Sequence, residues 1–266
     1  MRSIAFVTFA RRLAFAGALT CAAALSAAFA AEPKPDFSIK TKALEASVLL
    51  DAKIKSDPAL AANSLAEGKR WANKNRADAD KERKSEPELF RDGPWTMERT
   101  YKTRSVVDGR YVSIVRVDYE YTGGAHPNSS FDTILWDRSA GKRISIRPFF
   151  TETADNGATL TAMRRGVIAS LEAEKKKRGA DGTDASAIEA IEPKLLKIGP
   201  VSLAPSTEEG KSSGLTFHYS PYAVGSYAEG AYIAFVPWET LKPYLTPEGA
   251  RIFGGARPKD DDDGSQ

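Results

Sequence analysis

His126 and His218 are the only two histidines in a chain of 266 residues, and Cys21 is the only cysteine. His126 stands in the string Tyr121-Thr122-Gly123-Gly124-Ala125-His126-Pro127-Asn128. Gly123 and Gly124 permit a sharp turn or a close backbone approach. Pro127 drives the residue before it into an extended conformation, which presents the imidazole of His126 outward. Asn128 can hydrogen-bond its own backbone and lead the chain back into a strand. A histidine so placed reads two ways: as the tip of a binding or catalytic loop, or as part of a rigid β-connection with its imidazole satisfied by a carbonyl. A second string, Phe217 to Gly230, carries Tyr219, Tyr222 and Tyr227 with Gly225 and Glu229. Tyrosine joins apolar area to one polar tip, which suits an aromatic recognition surface and a packed turn equally. The candidate binding residues are therefore Gly123, Gly124, His126, Asn128, Tyr222, Tyr227 and Glu229.

Little else in the chain spells catalysis. Catalytic zinc needs three protein ligands and an open position. Two isolated histidines, with no His-x-x-x-His or Cys-x-x-Cys spacing, do not supply them. No G-x-S-x-G elbow holds a serine nucleophile, and neither a P-loop nor a dinucleotide fingerprint is present. Asp118 or Asp132 could meet His126 only through the fold. No pair of carboxylates stands out for glycoside cleavage. No catalytic residue, metal or cofactor is assigned.

The elements around the strings follow from periodicity. Phe37 to Leu50 reads as extended. Pro58 opens a helix toward Lys84, with Leu60, Leu65, Trp71 and Ala72 on its apolar side and a nearly wholly polar second half. Trp95 to Val107 alternates, Asp108-Gly109 is a hairpin turn, and Arg110 to Tyr121 returns with Tyr111, Val115, Val117, Tyr119 and Tyr121 on one face. Ser130 to Asp137 and a short strand with Ile144 and Ile146 continue an antiparallel meander. A helix over about 155–178 carries Leu160, Met163, Val167 and Leu171 at helical spacing. Its basic run, Lys175 to Arg178 before Gly179, suits a helix C-terminus. Asp181 to Asp184 reads as a linker and residues from about Ala185 as a second helix. Leu215, Phe217 and Tyr219 alternate, Tyr232 to Val236 is a strand, and Pro237-Trp238 begins a short helix. Strands, then helices, then strands give an α+β fold: an antiparallel β-meander sheet with packed helices and no doubly wound α/β core.

The first thirty residues read as a cleavable signal peptide. Arg2, Arg11 and Arg12 precede an apolar run from Leu13 to Phe29, and Ala28-Phe29-Ala30 is a small-x-small cleavage pattern that places the cut after Ala30. The expected location is periplasmic or secreted, with no membrane span left after cleavage. The whole chain has 38 basic and 35 acidic residues. Losing three arginines leaves the mature chain neutral, and it loses Cys21 as well. A nucleic-acid binder needs a basic surface, so no nucleic-acid partner is expected. Asp260 to Asp263 lack the spaced ligands and turn glycine of a calcium loop and read as part of a flexible acidic tail over 246–266.

The strings YTGGAHPN, WDRSAGKRISIRPFF and LTFHYSPYAVGSYAEGAYIAFVPWETLKPYL resemble the extracytoplasmic domain family of the anti-sigma factor RsiV. This domain of unknown function also accompanies the peptidoglycan deacetylase PdaC, usually with a smaller N-terminal companion. The likeness spans roughly Phe37 to Leu245, with a companion region over 37–125 and the RsiV-like module over 126–245. It implies an α+β, non-catalytic module at the cell envelope and, through RsiV, lysozyme binding. No sigma-binding segment is read before the apolar run, and no deacetylase domain. The expected function is a periplasmic binding module for a lysozyme-type protein or a peptidoglycan fragment. The alternatives are a cell-wall or ester hydrolase using His126 and a structural interaction protein of the envelope.

Overall fold

The computed structural model describes residues 34–180 and 185–261. The signal segment 1–30, the linker 181–184 and the end of the aspartate run lie outside them. Strand β1 (Phe37–Lys40) pairs antiparallel with β2 (Leu44–Leu50), whose residues alternate between buried and half-buried. The chain then turns helical. Asp51 caps α1 (Ala52–Lys55) by accepting from the Ile54 N–H at 2.8 Å. Asp57 caps α2 (Pro58–Ser85) by accepting from the Leu60 N–H, with Pro58 in the first turn. Gly68 lets α2 press onto β2, since a Cβ there would stand 2.6 Å from a methyl of Val48.

Four further strands complete a six-stranded sheet in the order β1 to β6: β3 (Trp95–Val107), β4 (Tyr111–Tyr121), β5 (Asn128–Asp137) and β6 (Lys142–Ile144). Asp108 and Gly109 both have positive φ and close the β3–β4 turn. The meander is antiparallel from β3 onward, but β2 and β3 run parallel. Parallel neighbours need a crossover connection, and α1 with α2 supplies it. The boundary expected between 125 and 126 falls inside the β4–β5 hairpin, which is paired from Glu120↔Asn128 to Tyr111↔Asp137. The described residues from Lys34 to Asp261 form one compact unit.

Each sheet face has its own core. Helix α2 covers one face, where Ile54 and Leu60 meet Val48, Tyr101, Ile114 and Trp136. The opposite face carries Tyr111 and Leu135 into a larger core with α3 (Ala158–Arg178) and a second sheet. That sheet is antiparallel: β7 (Val201–Leu203), β8 (Gly214–Tyr219) and β9 (Tyr232–Pro237). Ser113 on β4 joins the two sheets by accepting from the Leu203 N–H at 2.9 Å. Tyr111 to Val115 and all of β8 are buried without alternation, because both of their faces are covered. Short helices α4 (Ala185–Glu189), α5 (Trp238–Leu241) and α6 (Pro247–Ile252) complete the unit.

The flexible tail expected over 246–266 is corrected as far as Asp261. Thr246 caps α6, and Ile252 and Phe253 are core residues. The Trp238 indole N–H donates to the Gly255 carbonyl at 3.0 Å. Asp261 takes two bonds of 2.5 Å from the Arg104 guanidinium and one of 2.6 Å from Arg257. An aspartate so paired is a structural anion, whatever the composition around it suggests.

Candidate functional site

The two distinctive strings meet at the surface. The loop 122–127 leaves β4 through Gly123, whose φ is 84° and whose Cβ would lie 3.2 Å from the Leu89 carbonyl oxygen. Gly124 has neither a positive φ nor a crowded Cβ, so Gly123 carries the bend. Asn128 opens β5 opposite Glu120 and is exposed.

His126 is exposed, and its ring stacks on Tyr227 with centroids 3.8 Å apart at 22°. Its Nδ1 lies 2.9 Å from the Pro127 carbonyl oxygen, which also accepts from the Tyr227 hydroxyl at 2.7 Å. A carbonyl has no proton to give, so Nδ1 carries the hydrogen and Nε2 presents its lone pair. The Tyr222 hydroxyl donates toward that nitrogen at 3.5 Å. Tyr222 is 60% exposed, tilts against Tyr227 at 5.5 Å and holds a φ of 71°. Ser220, at the base of the same turn, accepts from the Phe131 N–H of β5 at 2.9 Å. Sequence read the loop and the turn separately; the fold makes them one aromatic cluster.

Glu229 plays a different part. Its carboxylate accepts from the Ser226 N–H at 2.8 Å, Lys175 Nζ at 2.8 Å and the Tyr232 hydroxyl at 2.6 Å. Those bonds fix the turn to α3 and β9. The Lys175 bond, then that of Tyr232, hold the Glu229 carboxyl down at about 2. Burial, then the Glu229 bond, push the Tyr232 hydroxyl up to about 12. Arg178 adds hydrogen bonds to the Glu229 and Ala231 carbonyls and lies 4.3 Å over the Tyr232 ring. The basic run at the end of α3 is thus only partly a solvated helix terminus. Lys175 and Arg178 turn inward and brace the tyrosine turn. The available signal was spacing: Lys175 continues the stripe of Leu160, Met163, Val167 and Leu171.

His126 is hydrogen-bonded to a phenol and a backbone carbonyl, and among the described residues no carboxylate or serine hydroxyl is bonded to it. A general base needs a partner to orient it and a nucleophile within reach. The chain does hold a serine–histidine pair, Ser202 and His218, with Oγ and Nε2 2.9 Å apart. Both side chains are buried, on the neighbouring strands β7 and β8. Among the described residues no group of three or more His, Cys, Asp or Glu side chains is gathered as for a metal. Beside the tyrosine turn lies a cleft of about 660 Å³, between β5 and the segment 187–201.

The fold is thus an α+β unit of two packed sheets, displaying an aromatic cluster where two loops meet. In sequence, residues 34–129 match the family described as Deacetylase PdaC, and residues 171–239 match the one described as Protein of unknown function (DUF3298). The chain is therefore similar along both segments to the RsiV-like, PdaC-type extracytoplasmic domain family. No curated protein matches it. Solved structures share its fold, two of them as follows. One is a DUF3298 family protein from Pseudomonas aeruginosa PAO1, at 16% identity and a TM-score of 0.50, covering 82% of this chain and 90% of that one. The other is a DUF3298 family member from Bacteroides fragilis NCTC 9343, at 16% identity and a TM-score of 0.51, covering 81% and 95%. Among the described residues no helix is long and apolar enough to cross a membrane.

Proposed function

We propose that this chain is a non-catalytic binding module of the bacterial envelope, exported by its first thirty residues, whose contact surface is the cluster of His126, Tyr222 and Tyr227. The partner is a lysozyme-type protein or a peptidoglycan fragment. One observation carries the reading. Tyr222 holds a left-handed backbone at the surface, where a bulky side chain is costly, and it covers no core. Strain kept at an exposed aromatic, with Glu229, Lys175 and Ser220 bracing it from behind, is the arrangement of a presented contact residue. Gly123 and Asn128 shape the loop, and Glu229 positions the turn.

The test uses the mature protein with lysozyme by calorimetry and with insoluble peptidoglycan by pelleting. Micromolar binding to at least one is expected, weakened about tenfold or more by Tyr222→Ala or His126→Ala. No binding to either at high micromolar concentration overturns the proposal.

A further inference from the structure

The polar second half of α2 is not random in its charge. The inward side of the helix is set by Leu60, Ser64, Gly68, Ala72 and Ala79, which are buried at helical spacing. On the opposite side, at the same spacing, stand Lys69, Arg70, Lys74, Lys81 and Lys84, all exposed. Asp80 is the one acid within that stripe, and Arg76 and Arg83 border it. Lys74 is paired with Asp78 at 2.7 Å, and Lys69 lies 5.5 Å over the Phe37 ring. Among the described residues Arg70, Lys81 and Lys84 make no ion pair. A solvated protein surface ordinarily intersperses both signs. Here cations gather along one line of about 22 Å, on a chain expected to be neutral once its first thirty residues are removed.

Such a field selects an anionic occupant. Between the cations the stripe holds Asn73 and Ala77, with no aromatic or large apolar side chain. It therefore lacks the anchor through which protein interfaces concentrate their affinity. A plane of anionic headgroups needs no anchor, because each lysine or arginine brought near it gains separately. The placement of the helix agrees with this. Helix α2 and the second sheet cover opposite faces of the six-stranded sheet. A molecule lying on α2 holds the second sheet, and with it the turn that carries Tyr222, on the side away from lipid.

We infer that the outer face of α2 docks on the headgroup surface of an anionic bilayer, peripherally and through charge. This surface is additional to the contact read at Tyr222 and stands without it.

The test is co-sedimentation of the mature protein with vesicles of phosphatidylglycerol and phosphatidylcholine, and with vesicles of phosphatidylcholine alone. Binding is expected only to the anionic vesicles and is expected to fade as added salt shortens the screening length. Each cation near such a surface is worth roughly fivefold in affinity, so Arg70→Gln with Lys81→Gln and Lys84→Gln should weaken binding about a hundredfold. Glutamine keeps the helix propensity, and circular dichroism checks the fold. A control with the same loss of charge, Arg165→Gln with Lys176→Gln and Lys259→Gln, should bind within a few fold of the parent. Anionic vesicles left unbound at low salt overturn the inference. So does equal loss in the two triple variants, which would make net charge and not the α2 face responsible, and so does no loss in the α2 variant. Retention on polyglutamate without retention on the vesicles overturns it in favour of an acidic polymer.

Discussion

The imidazole of His126 and the phenol of Tyr227 stack at 3.8 Å and share one acceptor, the Pro127 carbonyl oxygen. That carbonyl fixes the imidazole tautomer and the phenol at once. It makes a rigid surface from two loops that lie far apart in the chain. A rigid aromatic contact loses little conformational entropy on binding, which is the physical advantage of building it this way.

Tyr222 is where stability and binding should part. A left-handed backbone costs a non-glycine residue roughly 1–2 kcal/mol, and glycine returns part of that gain as backbone entropy, roughly 0.5–1 kcal/mol. Its φ of 71° and its exposure leave little packing to lose. Tyr222→Gly is therefore expected to stabilise the fold, by up to about 1 kcal/mol, in a urea melt. The same variant should bind the envelope partner no better than Tyr222→Ala. A destabilised glycine variant would show that the tyrosine packs as a structural residue.

Glu229 predicts a pH signature. Its folded pKa is lowered from 4.5 to about 2, first by Lys175 and then by Tyr232. A depressed carboxyl contributes stability that is fully present above the unfolded value and is lost as pH falls through the folded one. The thermal midpoints of the parent and Glu229→Gln should differ most above about pH 5, converge between about pH 4.5 and 2, and coincide below that. A constant difference across this range would mean that the carboxylate charge does not hold the turn.

Much of this was legible in the sequence. Alternation in 95–121, the Asp108-Gly109 turn and the helical spacing of Leu160 to Leu171 mark their elements because each is a local pattern. The parallel β2–β3 pair was not legible, since periodicity says which face a strand buries and not which neighbour it takes. Nor was the role of Asp261, whose partner Arg104 lies on β3. A run of aspartates looks solvated by composition, and only the fold supplies the guanidiniums. The candidate loops were both visible as unusual strings. That His126 meets Tyr222 and Tyr227 depends on Ser220 pinning the turn to β5, a contact no local spacing encodes.

Asp261 gives a third prediction. Its side chain is 4% exposed and sits between Arg104 and Arg257. Removing one partner of a buried ion pair costs about 3–5 kcal/mol, because the remaining charge is left poorly solvated. Asp261→Ala should fall in or near that range by chemical denaturation. Truncation after Gly255 should cost at least as much, since it also removes Arg257. An unchanged midpoint in both would mean that the C-terminal residues do not secure the fold.

The Arg99–Asp118 pair allows the sharpest test of how the sheet is held to α2. Two bonds of 2.6 and 2.5 Å join them across β3 and β4, both side chains are nearly buried, and the guanidinium lies 4.6 Å over the Trp71 ring of α2. Asp118→Asn alone should destabilise by about 3 kcal/mol, since the nearly buried Arg99 keeps its charge and loses its hydrogen-bonded carboxylate. Replacing both, as Arg99→Met with Asp118→Leu, removes the desolvated charges together and should recover most of that loss. Trp71→Leu on the parent should cost a further cation–π contribution of about 1 kcal/mol beyond its packing. The same change on the Arg99→Met background should not. A double-mutant cycle read by urea denaturation measures that difference directly. A coupling near zero between Trp71 and Arg99 would mean that α2 is held by its apolar stripe alone.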